Sequence, residues 1–220
     1  MRLIKLLLLS IVSLGSLGSA AARADGLIID NAGSAFSVPA LDAISGFSGP
    51  QTATFGTLST NVAGTVTYTY LGSEAGFVNG FGTGSTSFTA FLNQNAGYAQ
   101  LQPSQSGSSI SATVAAGQLN FGFATVYPAS YSGSVSNGQT FGSGSATSFA
   151  IASGGVVNGK RFDYFLAYND PFAGVADYND MVIGVNFVAG VPEPKDYALL
   201  LAGLLVLAAA LRLRRDKARA

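Results

Sequence analysis

The chain has 220 residues and no Cys, His or Trp. These absences exclude disulfides, thiol nucleophiles, Cys/His zinc sites and His-based catalytic triads. Formal charge balances at 11 cations against 11 acids, but the balance is an artefact of the two ends. Between Arg23 and Lys195 the only cations are Lys160 and Arg161, set against Asp25, Asp30, Asp42, Glu74, Asp163, Asp170, Asp177 and Asp180. An acidic body of this kind is no nucleic-acid binder, because phosphate recognition needs clustered basic side chains.

In chain order, residues 1–24 predict a secretory signal peptide. Arg2 and Lys5 give it a charged start, Leu6 to Leu17 an apolar core, and Ala22-Arg23-Ala24 an A-x-A cleavage site. Residues 25–190 follow as an exported body. The chain carries 28 Gly, 15 Phe and 9 Tyr, and Gly is nearly twice as frequent as its usual share of roughly 7%.

No long stretch of the body has helical apolar spacing. Alternation at period two recurs instead, and β-branched and aromatic residues suit pleated, half-buried strands. In Thr65–Tyr70, Val66, Tyr68 and Tyr70 share one face and the threonines the other. Ser109–Val114 alternates in the same way. Leu119, Phe121 and Phe123 form a further stripe. Phe162, Tyr164, Leu166 and Tyr168 alternate with Asp163, Phe165, Ala167 and Asn169, and Met181–Val188 makes a last strand.

Gly49-Pro50, Asn79-Gly80, Asn137-Gly138 and Asn158-Gly159 read as turns, since Asn and Gly tolerate positive φ. The expectation is an all-β, antiparallel β-sandwich or jelly-roll-like body, its aromatics filling the space between sheets. Phe81-Gly82-Thr83-Gly84-Ser85 recurs as Phe141-Gly142-Ser143-Gly144-Ser145. Two similar hairpins or biased composition would each produce that echo.

The densest polar constellation runs from Tyr168 to Asp180. Asp170, Asp177, Asn179 and Asp180 place four oxygen-bearing side chains in eleven residues. Ca²⁺ takes six to eight oxygens and would relieve repulsion among the carboxylates. The EF-hand pattern is absent. Two further readings stand beside calcium: a hairpin held by Asx turns, and a glycosidase acid pair such as Asp170 with Asp177. No G-x-S-x-G elbow and no phosphate-binding loop is present, so no catalytic residue is assigned. The segment Asp177-Tyr178-Asn179-Asp180-Met181-Val182-Ile183 resembles the end of an uncharacterised β-rich domain that recurs in exported bacterial proteins. That resemblance also implies calcium.

The C-terminal region, residues 191–220, begins with Val191-Pro192-Glu193-Pro194. The apolar run Tyr197–Leu211 follows, then Arg212, Arg214, Arg215 and Lys217. This predicts a single hydrophobic helix over 197–211. Fifteen helical residues span roughly 22 Å, short of the ~30 Å hydrocarbon core, so snorkelling basic side chains would have to complete a crossing. The basic end should stay cytoplasmic.

The layout resembles the PEP-CTERM sorting tail of Gram-negative bacteria: Pro192, Glu193 and Pro194 as the motif, then the apolar run, then the basic terminus. Lys195-Asp196 stand where small hydroxyl residues are usual in that family. The resemblance implies export through the secretion machinery, transient anchoring in the inner membrane, and recognition by an exosortase-type enzyme. It implies a final place at the cell surface or in an exopolysaccharide and biofilm matrix. The function expected is that of a non-enzymatic surface or matrix protein. A calcium-dependent carbohydrate-binding module, with Tyr127, Tyr131 and Tyr178 as stacking surfaces, is one alternative. A polysaccharide-processing enzyme is another.

Overall fold

The computed structural model describes residues 26–38, 41, 44–49, 51–84, 88–93, 105–127, 130, 133–141, 147–171, 176–190 and 194–217. The signal-peptide residues, Ala22 and Ala24 among them, lie outside this set, as do Pro192 and Glu193. The chain forms two units. One ends at Ala189 and the other begins at Gly190.

Among the described residues the first unit is all-β, and every strand pairing is antiparallel. The strands are β1 (Leu27–Asp30), β2 (Phe36–Ser37), β3 (Phe47–Ser48), β4 (Thr52–Thr54), β5 (Thr57–Thr60), β6 (Gly64–Gly72), β7 (Val78–Thr83) and β8 (Phe91–Leu92). They continue as β9 (Ser109–Val114), β10 (Gly117–Gln118), β11 (Phe121–Tyr127), β12 (Gly133–Ser136), β13 (Ser148–Val157), β14 (Lys160–Asn169) and β15 (Met181–Ala189). The largest sheet has the order β2-β4-β13-β14-β15-β6-β9, with β3 also paired to β13. A second sheet runs β12-β11-β7-β8, and a third β1-β5-β10.

Alternation along the large sheet sends neighbouring side chains to opposite faces. Phe149, Ile151, Leu166, Tyr168 and Ile183 join Phe81, Phe121 and Phe123 of the second sheet and Leu27 and Leu58 of the third in one core. Their neighbours Ala150, Ala152, Phe165, Ala167 and Val182 face the other way, against Val38, Leu41, Ile44 and Ala53. Rings dominate the first core. Phe81 lies 5.1 Å from both Tyr68 and Phe123, and Phe123 stacks on Tyr168 at 4.9 Å and 4°. Burial pushes the phenols of Tyr68 and Tyr168 well above their ordinary range, and that of Tyr70 up to about 12.

The Thr65–Tyr70 stripe is the inward face of β6, where Val66 and Tyr68 are fully buried. Asn158-Gly159 turns β13 into β14, both residues at positive φ (49° and 78°), as a tight hairpin requires. Asn137-Gly138 is also a turn, with Gly138 at φ 91°.

Asn79-Gly80 is not a turn: both residues lie inside β7 and are buried. A Cβ at Gly80 would strike the Phe88 carbonyl, so this glycine answers a close backbone approach. Phe162 also departs from the alternation. It packs with Phe165 at 5.7 Å, on the face opposite Leu166 and Tyr168. The two glycine-rich echoes differ as well. Phe81–Thr83 is strand, whereas Phe141 lies outside any strand and its partners 142–146 fall outside the described residues.

The second unit contains α1 (Pro194–Lys217). It starts three residues earlier than the sequence predicts, because proline's fixed φ and missing amide proton suit the first helical position. Pro194 therefore opens the helix rather than extending a spacer. Among the described residues, no helix is long and apolar enough to cross a membrane by itself.

Candidate functional site

The β14–β15 hairpin positions the acidic cluster. Tyr168 pairs with Met181, so the residues just beyond them meet at one end of the sheet. The backbone amide of Asp170 donates to Asp180 Oδ2 at 2.7 Å. Asp170 is 2% exposed and Asp180 9%. These two carboxylates thus lie side by side at the edge of the core.

The floor beneath them comes from the facing sheet. Asn79 Nδ2 donates to Asp170 Oδ2 at 3.0 Å, and Asn79 Oδ1 accepts from Thr125 Oγ1 at 3.0 Å. Thr125 also pairs with the Tyr168 hydroxyl at 3.1 Å. Asn93 Oδ1 accepts from the Asn79 amide at 2.6 Å, while Asn93 Nδ2 reaches Ser73 Oγ, the Phe77 carbonyl and the Asp180 carbonyl. A run of neutral amides and hydroxyls therefore ties β7 and β11 to the end of the β14–β15 hairpin.

Burial is the main reason the Asp180 carboxyl rises from 3.8 to about 7, with the charges of Asp170 and Asp177 and a side-chain hydrogen bond with Asp170 adding to it; the Asp170 amide opposes the rise. The body's two cations do not help. Lys160 and Arg161 begin β14, and ten residues of strand at ~3.3 Å each separate them from the pair. Lys160 instead donates to Thr69 Oγ1 and sits 5.1 Å from the Phe162 ring. Burial and the neighbouring carboxylate charges therefore favour the protonated form of Asp180.

Of the four residues in the calcium expectation, the structure brings Asp170 and Asp180 together, with Asn179 beside them in sequence. Asn179 Nδ2 donates to Glu74 Oε2 at 3.2 Å, and its carbonyl accepts from the Glu74 amide at 3.0 Å. Its Oδ1 is buried and has no hydrogen-bond partner among the described residues. Asp177 is exposed, and its amide is held by Asn169 Oδ1 at 3.2 Å. Among the described residues, no three His, Cys, Asp or Glu side chains form a group that could hold a metal ion.

Asp170 and Asp177 do not face each other as a matched acid pair: one is buried in the network and the other exposed. Tyr127 is 41% exposed, while Tyr131 lies outside the described residues. Tyr178 is not an exposed stacking surface. It is 4% exposed and packs in the second core, with its backbone at φ 60°. That left-handed conformation is rare for a bulky residue; it turns Tyr178 to one side of the chain and Asn179-Asp180 to the other.

Sequence reasoning missed Asn79, Asn93, Thr125 and Glu74. The available signal was the apolar flank of Asn79: Phe77, Val78 and Phe81 leave no polar stretch to bound a turn there. No protein-family profile matches the chain, and neither a curated protein nor a solved structure matches it.

Proposed function

We propose that this protein is an exported surface or matrix component, built on a β-sandwich body and sorted through a PEP-CTERM-like tail. The observation that carries the reading is the helix α1. Leu199, Leu200, Leu201, Leu204, Leu205, Val206 and Leu207 are each more than half exposed. Successive residues advance 100° around a helix, so this surface is apolar on every side. Such a helix is at home in lipid rather than water. Arg212, Arg214, Arg215 and Lys217 fill the last turns of the helix, and long basic stems there would extend a short apolar span towards the headgroups.

On this reading the signal peptide takes the chain across the inner membrane, and α1 holds the body there with its basic end inside. An exosortase-type enzyme then acts near Pro192-Glu193-Pro194 and releases the body to the surface or matrix. The test is intact mass of the surface-exposed protein from a Gram-negative host that carries an exosortase. The expected species lacks both residues 1–24 and the helix. Tail peptides in the dominant surface species would overturn the reading.

A second reading keeps a cation at the acidic hairpin. The buried, unpartnered Asn179 Oδ1, next to a carboxylate pair with no nearby cation, favours it. Those residues would supply hard oxygen ligands, with waters and backbone carbonyls completing the shell. A thermal melt of the full chain with calcium against chelator tests it. At a hundredfold excess over the dissociation constant, binding adds ~2.7 kcal/mol and raises the midpoint by several degrees. The rise should vanish in Asp180→Asn. An unchanged midpoint in the parent protein would remove the cation.

A further inference from the structure

A cleft of about 630 Å³ lies between the β1–β2 loop, the β4–β5 turn, the segment that follows β12, and Ala176 and Tyr178 of the β14–β15 connection. We propose that it binds a neutral sugar, one or more pyranose rings of an uncharged glycan. The site lies within the first unit and does not depend on the calcium reading.

Four rings give the cleft its apolar character: Phe36, Phe55, Phe141 and Tyr178. Phe36 lies 4.8 Å from Phe55 and 5.4 Å from Tyr178, and Phe55 lies 6.1 Å from Phe141. Neighbouring rings are tilted by 35–58°, so they make a concave wall rather than one continuous stack. The three phenylalanines are only half-buried and keep surface for a ligand. Tyr178 is buried, and its hydroxyl pairs with Ser148 Oγ at 3.3 Å. It therefore serves as fixed backing.

The polar part of the lining is neutral throughout. Asn31, Thr57, Gln139 and Thr140 contribute amides and hydroxyls, and among the described residues no charged side chain lines the cleft. Gln139 Oε1 accepts from the Ser136 amide at 2.8 Å, which fixes the side chain and points its NH₂ as a donor.

This combination selects among ligand classes. A hydrocarbon would cover the rings but leave the amides and hydroxyls buried and unpaired, which is unfavourable. A uronate or phosphate would find no counter-charge in an acidic body. A pyranose has a C–H face that packs on aromatic rings and an equatorial rim of hydroxyls that both donate and accept. The volume lies within the ~300–1,000 Å³ range of small-ligand sites and accommodates a short glycan segment.

The test is calorimetric titration of the full chain in a detergent without a sugar headgroup, with chelator present throughout. The probes are cellohexaose, maltohexaose and, as the charged counterpart, hexagalacturonate. Saturable binding of at least one neutral hexasaccharide is expected, with hexagalacturonate weaker. Phe55→Ala should weaken it about tenfold or more, and Thr140→Arg, an exposed rim change away from both cores, should do the same without moving the melting temperature. Absence of saturable binding by both neutral probes would overturn the proposal. Binding that both variants leave unchanged, or a preference for hexagalacturonate, would overturn it too.

Discussion

Leu166 in β14 is fully buried, whereas Leu199 in α1 leaves 71% of its surface exposed. The two leucines differ in the company their sequences give them. In the body, apolar residues alternate with polar or small ones, and each strand buries one face against another sheet. Where both faces are apolar, as in β14 and β15, the large sheet is covered on both sides. In α1, apolar and small residues run from Tyr197 to Leu211, between the charged residues of the helix's two ends. Such a surface finds no shelter within a single helix. The body is thus a solution to burial in water, and on the proposed reading the tail would find its burial in lipid.

The largest expected effect lies at the centre of the ring core. Phe81→Ala removes a fully buried ring that touches Tyr68, Phe91, Phe121 and Phe123. It should destabilise the body by about 3–5 kcal/mol in denaturant unfolding. A loss below about 1 kcal/mol would mean that the ring core is looser than these distances imply.

Asn137→Ala comes next. Its side chain bonds the Leu58 amide and carbonyl and the Leu119 carbonyl, all in the core. Truncation takes the acceptor from the Leu58 amide, at about 1–3 kcal/mol, while the Leu58 carbonyl keeps the Leu119 amide at 3.1 Å, and the melting temperature should fall clearly.

A smaller effect, visible as a change of slope, involves Asp180. Its carboxyl lies at 3.8 ordinarily and at about 7 in the fold, so the folded state binds the proton more tightly than the unfolded chain. Stability from this group is complete below pH ~4 and is lost as pH rises through ~7. Melting temperatures of the parent protein should decline over that window, and Asp180→Asn should flatten the decline. An identical pH profile in the variant would show that the proton resides elsewhere.

The smallest effect belongs to the tail. Leu205→Ala should move the body's melting temperature within the ~0.5 kcal/mol expected of an exposed site. The same change should reduce the share of the chain that sediments with membranes. A large loss of body stability would erase the contrast between the two regions.

Much of the fold was legible in the residues. Period-two stripes placed β6, β9, β14 and β15, and Asn158-Gly159 announced its hairpin, because local sterics and alternation act over a few residues. The acid pair was half legible. Asp170 and Asp180 are close in sequence and flank a hairpin, but nothing local showed that Asp177 would face outward. Asn79-Gly80 misled because an Asn-Gly pair is a turn signal only when solvent can receive it. Here the facing sheet supplied partners for the amide, and Phe88 came close enough to demand the glycine.

By itself, then, the sequence determined the all-β body, its main strands and a helical C-terminal segment, since these follow from residue periodicity. Only the tertiary structure decided which polar groups became interior and which rings faced a cleft. Asn79 joins Asp170 across 91 residues of chain, and Phe36, Phe55, Phe141 and Tyr178 converge from four separate segments. Such meetings depend on how sheets stack, and local periodicity carries no information about that.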